Sequence, residues 1–409
     1  MQHSLKRNML WNSVGSFGNL LCQWLVTLLV VRLSSTYEPA GYLNLAISVT
    51  AIFGTAATFN LRTYIISEDR SEYSSSVYSG FRVFTCLAAT LLCFVYALQF
   101  GYDVTQLSCV ALYMMFRIVD AITDLIYAFE QKESCMEPGG KGMLLRGVVS
   151  LLSFALTFVT TQNIVAGIAA MCVASLAVLL FFDVPRVREF GSFAPALDLP
   201  KQAELLKSGG IITATSFLSD WVVTYSRQAI TMVLGNELMG AYATVAAPVV
   251  IVQVGISYVF NPLLPRLHQS YQNNNKELYY KDVARVFLAI VVFTAASLLG
   301  AVVLGQPALS LLYGASISSY SYLLPTLVLA TALNALQWFL RILLVMQREM
   351  VAQFFACAAA LAICFAVSPT VISHFGVIGA NYVLLGCYSL STFVTLVAFV
   401  AKSRRHFRN

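Results

Sequence analysis

The sequence predicts an all-α integral membrane protein with about twelve transmembrane helices, arranged as two six-helix bundles around a central cavity. Two observations support this prediction. Of 409 residues, 58% are hydrophobic and only 11% are charged, whereas soluble domains carry about 25% charged residues. The mean hydropathy is +0.75 over the whole chain. Apolar runs therefore recur throughout the chain, and water is not its main solvent.

Twelve stretches are apolar and long enough to cross a bilayer, since each crossing needs about 20 residues in a helix. They cover residues 10–31, 40–60, 80–100, 106–129, 143–161, 163–183, 208–229, 238–261, 284–304, 322–346, 351–370 and 376–401. The first stretch is long, is polar at several positions, and is followed by no small-residue cleavage site. We expect it to remain as a helix rather than to act as a cleaved signal.

The positive charges indicate the orientation of the helices. With a cytoplasmic N-terminus, alternate loops hold 21 of the 25 lysines and arginines, Arg82 and Arg146 among them. The opposite face has loops of only a few residues. The positive-inside rule therefore places both termini in the cytoplasm. The net charge of +6 follows from this topology and does not indicate nucleic-acid binding.

The longest interruption between spans suggests three parts: a bundle over 1–185, a cytoplasmic linker over 186–207 and a second bundle over 208–409. Two segments about 200 residues apart have similar amino-acid sequences, Ala40–Asn60 and Met239–Asn261. Because each half has an even number of spans, both halves point the same way, as in transporters built from parallel repeats. Substrate is then expected between the halves.

Polar residues line one helical face of four spans. Spans 1 and 7 are repeat-equivalent, as are spans 4 and 10. The stripes are Asn12, Ser16, Asn19, Gln23 and Thr27 in span 1; Tyr113, Arg117, Asp120, Asp124 and Tyr127 in span 4; Thr213, Ser216, Asp220, Thr224 and Arg227 in span 7; and Thr331, Asn334, Gln337 and Arg341 in span 10. A charge at mid-membrane costs about 2.5 to 3.5 kcal/mol unless it faces protein or water. The stripes therefore predict a hydrated cavity.

Two interpretations of these charges stay open. Arg117 can pair with Asp120 and Asp124 inside one helix, and Asp220 with Arg227, merely to ease insertion. Alternatively, they serve function. Arg341 has no acid in its own span, so we favour a cavity position for it over snorkelling to the interface.

No cofactor and no metal are expected. The four histidines lie in loops or at chain ends, and eight of the nine cysteines lie inside spans, where they pack as small apolar residues. The pair Gly15 and Gly18 indicates close helix packing.

Local motifs then suggest a family. They are Glu204-Leu205-Leu206-Lys207, Ser219-Asp220, Leu234-Gly235-Asn236-Glu237-Leu238-Met239-Gly240-Ala241-Tyr242 and Phe260-Asn261-Pro262-Leu263-Leu264-Pro265. With twelve spans in halves of six, the chain resembles a polysaccharide (O-antigen type) flippase of the multidrug/oligosaccharidyl-lipid/polysaccharide exporter superfamily.

The resemblance implies alternating access and a polyprenyl-pyrophosphate-linked oligosaccharide as cargo, such as an O-antigen repeat unit of lipopolysaccharide or an exopolysaccharide repeat unit. It also implies the bacterial inner membrane, with membrane lipids and other polysaccharide assembly proteins as partners. The candidate cargo-binding residues are compatible, because arginine forks match phosphate oxygens and amides match sugars. They are Arg117, Arg341, Arg227, Asn19, Gln23, Asn334 and Gln337, with Asp120, Asp124 and Asp220 as candidates for ion coupling.

Two rivals remain. A cation-coupled multidrug antiporter of the same superfamily should have a net acidic cavity and commonly an acid in span 1, where this chain has only uncharged polar residues. A membrane polysaccharide polymerase or sugar transferase needs a long outer loop or clustered catalytic groups at one membrane face. Neither feature is present in the sequence, so we expect a transporter rather than an enzyme.

Overall fold

The computed structural model describes residues 5–62, 65, 73–133, 135–187, 193–260, 263–347 and 349–407. Linker residues 188–192 and the motif residues Asn261 and Pro262 lie outside this part of the chain. The described residues contain helices and no strand. The predicted all-α membrane fold is therefore confirmed.

The first seven helices follow the first seven predicted spans. They are α1 (Leu5–Leu33), α2 (Glu38–Thr58), α3 (Ser75–Gln99), α4 (Val104–Lys132), α5 (Met136–Thr161), α6 (Ile164–Val178) and α7 (Leu199–Leu234). After α6 the chain continues as a π-helical segment, Leu179–Asp183, and a short helical turn, Val184–Val187. Such π-turns in membrane helices often mark functional positions.

The remaining helices are α8 (Asn236–Ala246), α9 (Val250–Phe260), α10 (Leu264–Gln272), α11 (Lys276–Tyr313), α12 (Leu324–Met346), α13 (Val351–Phe375) and α14 (Ile378–His406). Pro248 lies in a 3-10 turn, Ala247–Val249, that divides the eighth predicted span into α8 and α9. A proline cannot donate an intrahelical hydrogen bond, which accounts for the break.

Nine helices in the described ranges are long and apolar enough to cross a membrane. The other three predicted spans are helical as well: α4, α7 and the interrupted pair α8–α9. Helix α4 carries charged residues along its polar face, which lowers its hydropathy. The protein is thus a multi-pass membrane protein.

The chain divides into two compact units, Met1–Asp220 and Trp221–Asn409, and the division falls inside α7. The predicted domain boundaries around 186–207 stay a prediction. The described end of that linker docks in the first unit, where the Ala196 amide donates to the Ser76 carbonyl oxygen at 2.9 Å.

In the first unit, glycines let α1 approach α5 at backbone distance. A Cβ atom on Gly15 would lie 2.1 Å from the carbonyl oxygen of Gly140, and one on Gly140 would lie 2.2 Å from that of Trp11. Any larger side chain would collide with backbone there. The close packing predicted from Gly15 and Gly18 is confirmed, and α5 is the partner helix.

In the second unit, a buried hydrogen-bond chain joins α8, α12 and α14. The Tyr242 hydroxyl donates to Asn381 Oδ1 at 2.9 Å, and Asn381 Nδ2 donates to Thr326 Oγ1 at 2.7 Å. Asn381 is fully buried. Because a buried amide is costly without partners, these bonds fix the three helices in one register.

Candidate functional site

Helix α4 carries the centre of the candidate site. Its first turn is fixed by a capping box, in which Asp103 Oδ1 accepts from the Gln106 amide at 2.7 Å and Gln106 Oε1 accepts from the Asp103 amide at 3.0 Å. The helix then runs for 29 residues. Its polar residues recur every three or four positions, so they share one face, and charged side chains from neighbouring helices meet them there.

Asp124 is held by two arginines from outside α4. Its Oδ1 lies 3.4 Å from Arg62 Nη1 and its Oδ2 lies 3.3 Å from Arg82 Nη2. Arg82 also donates to the Ala57 carbonyl oxygen at 2.7 Å, and its side chain is only 2% exposed. The carboxylate and the carbonyl together compensate for burying this guanidinium.

Asp120 lies one turn earlier on α4 and has the same kind of surroundings. Its Oδ1 is 3.4 Å from Arg146 Nη2, and its Oδ2 is 3.9 Å from Arg117 Nη1. Arg146 also donates to the Thr123 hydroxyl. Arg117 lies over the Tyr113 ring, with 5.4 Å between the guanidinium carbon and the ring centroid, a cation–π contact that keeps it on this face.

We call Arg62, Arg82, Arg117 and Arg146 the arginine cluster. Its four guanidinium groups face two carboxylates, Asp120 and Asp124, so positive charge is in excess. Arg82 and Arg146 are buried. Arg117 is 25% exposed and Arg62 28% exposed. The exposed edge of the cluster therefore suits an anion with several oxygens.

The positions of Arg82 and Arg146 correct an expectation. Both were counted with the cytoplasmic loops, although they fall just inside the predicted spans 80–100 and 143–161. In the structure Arg82 lies within α3 and Arg146 within α5, and both are nearly fully buried. Hydropathy marks arginine as a loop residue because it ignores neighbouring helices. Here the carboxylates of α4 compensate for the charge, so the helices extend through both arginines.

The described contact of Asp220 is with Thr55, whose hydroxyl donates to Asp220 Oδ2 at 2.6 Å. This bond joins α2 to α7 within the first unit. Arg227, later on α7, is half-buried and close enough to the phenols of Tyr242 and Tyr388 for electrostatic interaction.

The stripe of α1 faces α5 in part. The Ser16 hydroxyl donates to Met143 Sδ at 3.4 Å. Asn19 lies against Gly147, where a Cβ atom on the glycine would be 3.1 Å from Asn19 Oδ1. Gln23 is half-buried farther along the same helix.

The stripe of α12 contains one packing residue and two half-buried residues. Gln337 is fully buried, and its Nε2 donates to the Ser391 hydroxyl and lies 3.5 Å from Cys357 Sγ, so it joins α12 to α13 and α14. Asn334 and Arg341 are half-buried. Of these residues, Asn334 and Arg341 keep more exposed surface than Gln337.

Metal-binding geometry is not found in this part of the chain. The described residues contain no group of three or more His, Cys, Asp and Glu side chains that could hold a metal ion.

Comparisons with known proteins add to this picture. No family model matches the chain. In sequence it is similar to the capsular polysaccharide biosynthesis protein CapF of Staphylococcus aureus, with 23% identity over 314 residues, covering 75% of this chain and 77% of the relative.

In structure, the chain is similar to the lipid II flippase MurJ in an inward closed conformation, with a TM-score of 0.74, 13% identity, and coverage of 97% of this chain and 90% of MurJ. It is also similar to the Vibrio cholerae MATE transporter VcmN in its bent form, with a TM-score of 0.62, 15% identity, and coverage of 98% and 97%. A MOP-superfamily transporter from Pyrococcus furiosus gives a TM-score of 0.61 at 12% identity, with coverage of 99% and 96%. The chain therefore shares the fold of these transporters.

Proposed function

We propose that this chain flips a polyprenyl-pyrophosphate-linked oligosaccharide across a bacterial inner membrane by alternating access, with both termini in the cytoplasm. The cargo is a repeat unit of a surface polysaccharide, for example an O-antigen or an exopolysaccharide. Transport needs no covalent chemistry. The observation that supports this proposal is the positive excess of the arginine cluster beside α4.

The charge of the arginine cluster favours the flippase hypothesis over the antiporter hypothesis. A pyrophosphate carries at least two negative charges and several acceptor oxygens, and guanidinium forks bind such groups bidentately where water is scarce. In the cluster, Asp120 and Asp124 neutralise only part of the charge of four arginines. A cationic drug would be repelled there. Arg117, which keeps a quarter of its surface exposed, is the residue we expect to meet the pyrophosphate.

Arginines in the second unit also favour an anionic cargo. The acidic residues of this unit are Glu237, Glu277, Asp282 and Glu349, and none of them lies on α7 or α12, which carry Arg227 and Arg341. The part of α7 after Asp220 and the whole of α12 therefore carry arginine and no acid. Sugars would contact amide and hydroxyl groups such as those of Asn19, Gln23 and Asn334.

The likeness to MurJ and to CapF favours a glycolipid cargo, whereas the likeness to MATE transporters leaves a multidrug antiporter as the second candidate. Because one fold hosts both activities, charge and cargo must decide. Other polysaccharide assembly proteins are proposed partners.

The test is complementation of a strain that lacks this gene. The deletion should trap completed lipid-linked oligosaccharide on the cytoplasmic side of the membrane. Arg117→Ala and Arg341→Ala should reproduce the trapped lipid at normal expression, whereas Arg117→Lys should restore part of the flux. Arg404→Ala is the matched control, because Arg404 is an exposed residue near the C-terminus.

Three outcomes contradict the proposal. Full flux in both Arg117→Ala and Arg341→Ala would show that these arginines are not needed to bind the cargo. Single, unextended repeat units accumulating outside the cell would indicate a polymerase. A deletion that changes the retention of cationic dyes but leaves the glycolipids unchanged would indicate the antiporter.

A further inference from the structure

A second buried charge cluster lies where α4, α5 and the π-helical segment meet, and nothing in the sequence analysis pointed to it. It contains Glu130 near the end of α4, Asp183 at the end of the π-helical segment and Arg186 in the following turn. The Glu130 side chain is 1% exposed and that of Asp183 is 0% exposed. Both carboxyl groups approach the same guanidinium nitrogen, Arg186 Nη2.

The two carboxyl groups differ in how they are held. Asp183 Oδ1 lies 2.6 Å from Arg186 Nη2 and accepts a hydrogen bond from the Tyr127 hydroxyl at 3.3 Å. Glu130 Oε1 is 3.8 Å from Arg186 Nη2. No described side chain donates a hydrogen bond to either oxygen of Glu130, and the donor that faces it is the backbone amide of Gly139, outside standard hydrogen-bond geometry.

Glycines in α5 make room for both acids. A Cβ atom on Gly139 would lie 2.3 Å from Glu130 Oε2, and one on Gly142 would lie 2.7 Å from Asp183 Oδ1. The sequence Pro138-Gly139-Gly140-Lys141-Gly142 therefore brings the backbone of α5 against the two carboxyl groups. Packing of this kind excludes water from them.

We propose that Glu130 and Asp183 form a proton-binding site, with the proton on Glu130 and the negative charge on Asp183. One guanidinium offsets one buried carboxylate, and a second buried carboxylate in contact with it would be uncompensated. The other charged or titratable groups that face the pair are Tyr127 and, at longer range, Arg146 and Arg62. Arg146 and Arg62 contact Asp120 and Asp124 directly and act on the pair only at longer range, whereas Arg186 is the guanidinium in contact with it.

The site can couple protonation to movement through Arg186. When the proton leaves, Glu130 becomes a carboxylate and attracts Arg186 away from Asp183. Arg186 also donates to the Pro138 carbonyl oxygen at 2.9 Å, at the start of α5. A shift of this guanidinium therefore acts on α4, α5 and the π-helical segment together. The statement that this movement drives transport rests on the proposed function, whereas the proton site itself does not.

Infrared difference spectroscopy of the full chain in lipid vesicles tests the site without any cargo. Raising the pH should remove the carbonyl band of a protonated carboxyl group. Glu130→Gln should eliminate that band while the protein remains monodisperse, and Asp183→Asn should weaken or shift it. Glu133→Gln should leave it intact, because Glu133 is an exposed acid just past the end of the same helix.

Several results would overturn the proposal. The band could persist in Glu130→Gln, or be absent from the wild type at every pH tested. It could also disappear when sodium replaces potassium at constant pH, which would make the site a cation site. Glycolipid flux is measured separately in the deletion strain, so loss of the proposed cargo would leave the spectroscopic result standing.

Discussion

Asp124→Asn tests whether the arginine cluster depends on the carboxylates of α4 for stability. The substitution keeps the size of the side chain and removes the charge that faces Arg82 at 3.3 Å and Arg62 at 3.4 Å. Arg82 is 2% exposed. It would remain buried with the Ala57 carbonyl as its described hydrogen-bond acceptor.

The expected loss follows from that burial. Breaking one side of a buried ion pair costs about 3–5 kcal/mol. The lower end, about 3 kcal/mol, applies here because Asp124 is itself a quarter exposed and Arg82 keeps its bond to Ala57. At about 1.4 kcal/mol per factor of ten, the folded fraction relative to the unfolded fraction should fall more than a hundredfold.

Reversible unfolding in mixed detergent micelles measures this loss, with Glu133→Gln as the control for removing an exposed acid just past the end of α4. The double variant Arg82→Met with Asp124→Leu should recover most of the stability, because an apolar pair can replace a buried ion pair at similar volume. A single variant Asp124→Asn that is as stable as Glu133→Gln would refute the idea that this carboxylate compensates Arg82. Asp124 would then be free to serve as an ion-coupling residue.

Three other predictions follow from the contacts described above. Gly15→Val should destabilise the protein by about 1–3 kcal/mol or prevent folding, since its side chain would meet the Gly140 carbonyl oxygen. Gly210→Val, at a position with open space, should be tolerated. Thermal unfolding of the two variants measures the difference. Gln337→Ala should lower thermal stability with little effect on glycolipid flux at permissive temperature, because Gln337 is buried against Ser391. A variant that is as stable as the wild type but has lost glycolipid flux would instead place Gln337 in the cargo site. The hydrogen bond from Lys201 holds the pKa of Asp198 below its ordinary value, so the contribution of this carboxylate is lost only as the pH falls through that lowered pKa. Asp198→Ala should therefore speed proteolysis of the linker at neutral pH, while mild acidification of the wild type should not.

The sequence predicted the helices well because bilayer thickness fixes their length and apolar character. It also placed Arg117, Asp120 and Asp124 on one face of α4, since a helical period is enough for that. It did not predict that Arg82 and Arg146 reach the same face. Which residue of a neighbouring helix meets a carboxylate depends on the rotation of that helix, and a hydropathy profile contains no such information.

Glu130 and Asp183 were missed for a related reason. Each lies at the end of an apolar run, where acids are common, and the π-helical segment that places Asp183 has no clear sequence signature. The sequence feature that indicated this cluster is the set of three glycines within residues 138–142. Glycine destabilises the interior of a helix, so several glycines together indicate that the helix backbone is in close contact with neighbouring groups. Gln337, which the stripe predicts to line the cavity, is buried and bonded to Ser391, and its role in cargo binding stays a prediction.

The glycine contact between α1 and α5 has a consequence for biosynthesis. Gly15 and Gly140 are about 125 residues apart in the chain. At about 5–20 residues per second, α1 waits roughly 6 to 25 seconds before its partner helix has been synthesised. During that interval Ser16 and Asn19 have no α5 to cover them. The membrane insertion machinery must then shield the polar face of α1, so cells with limited insertase capacity should lose this protein early and at the stage of its first helix.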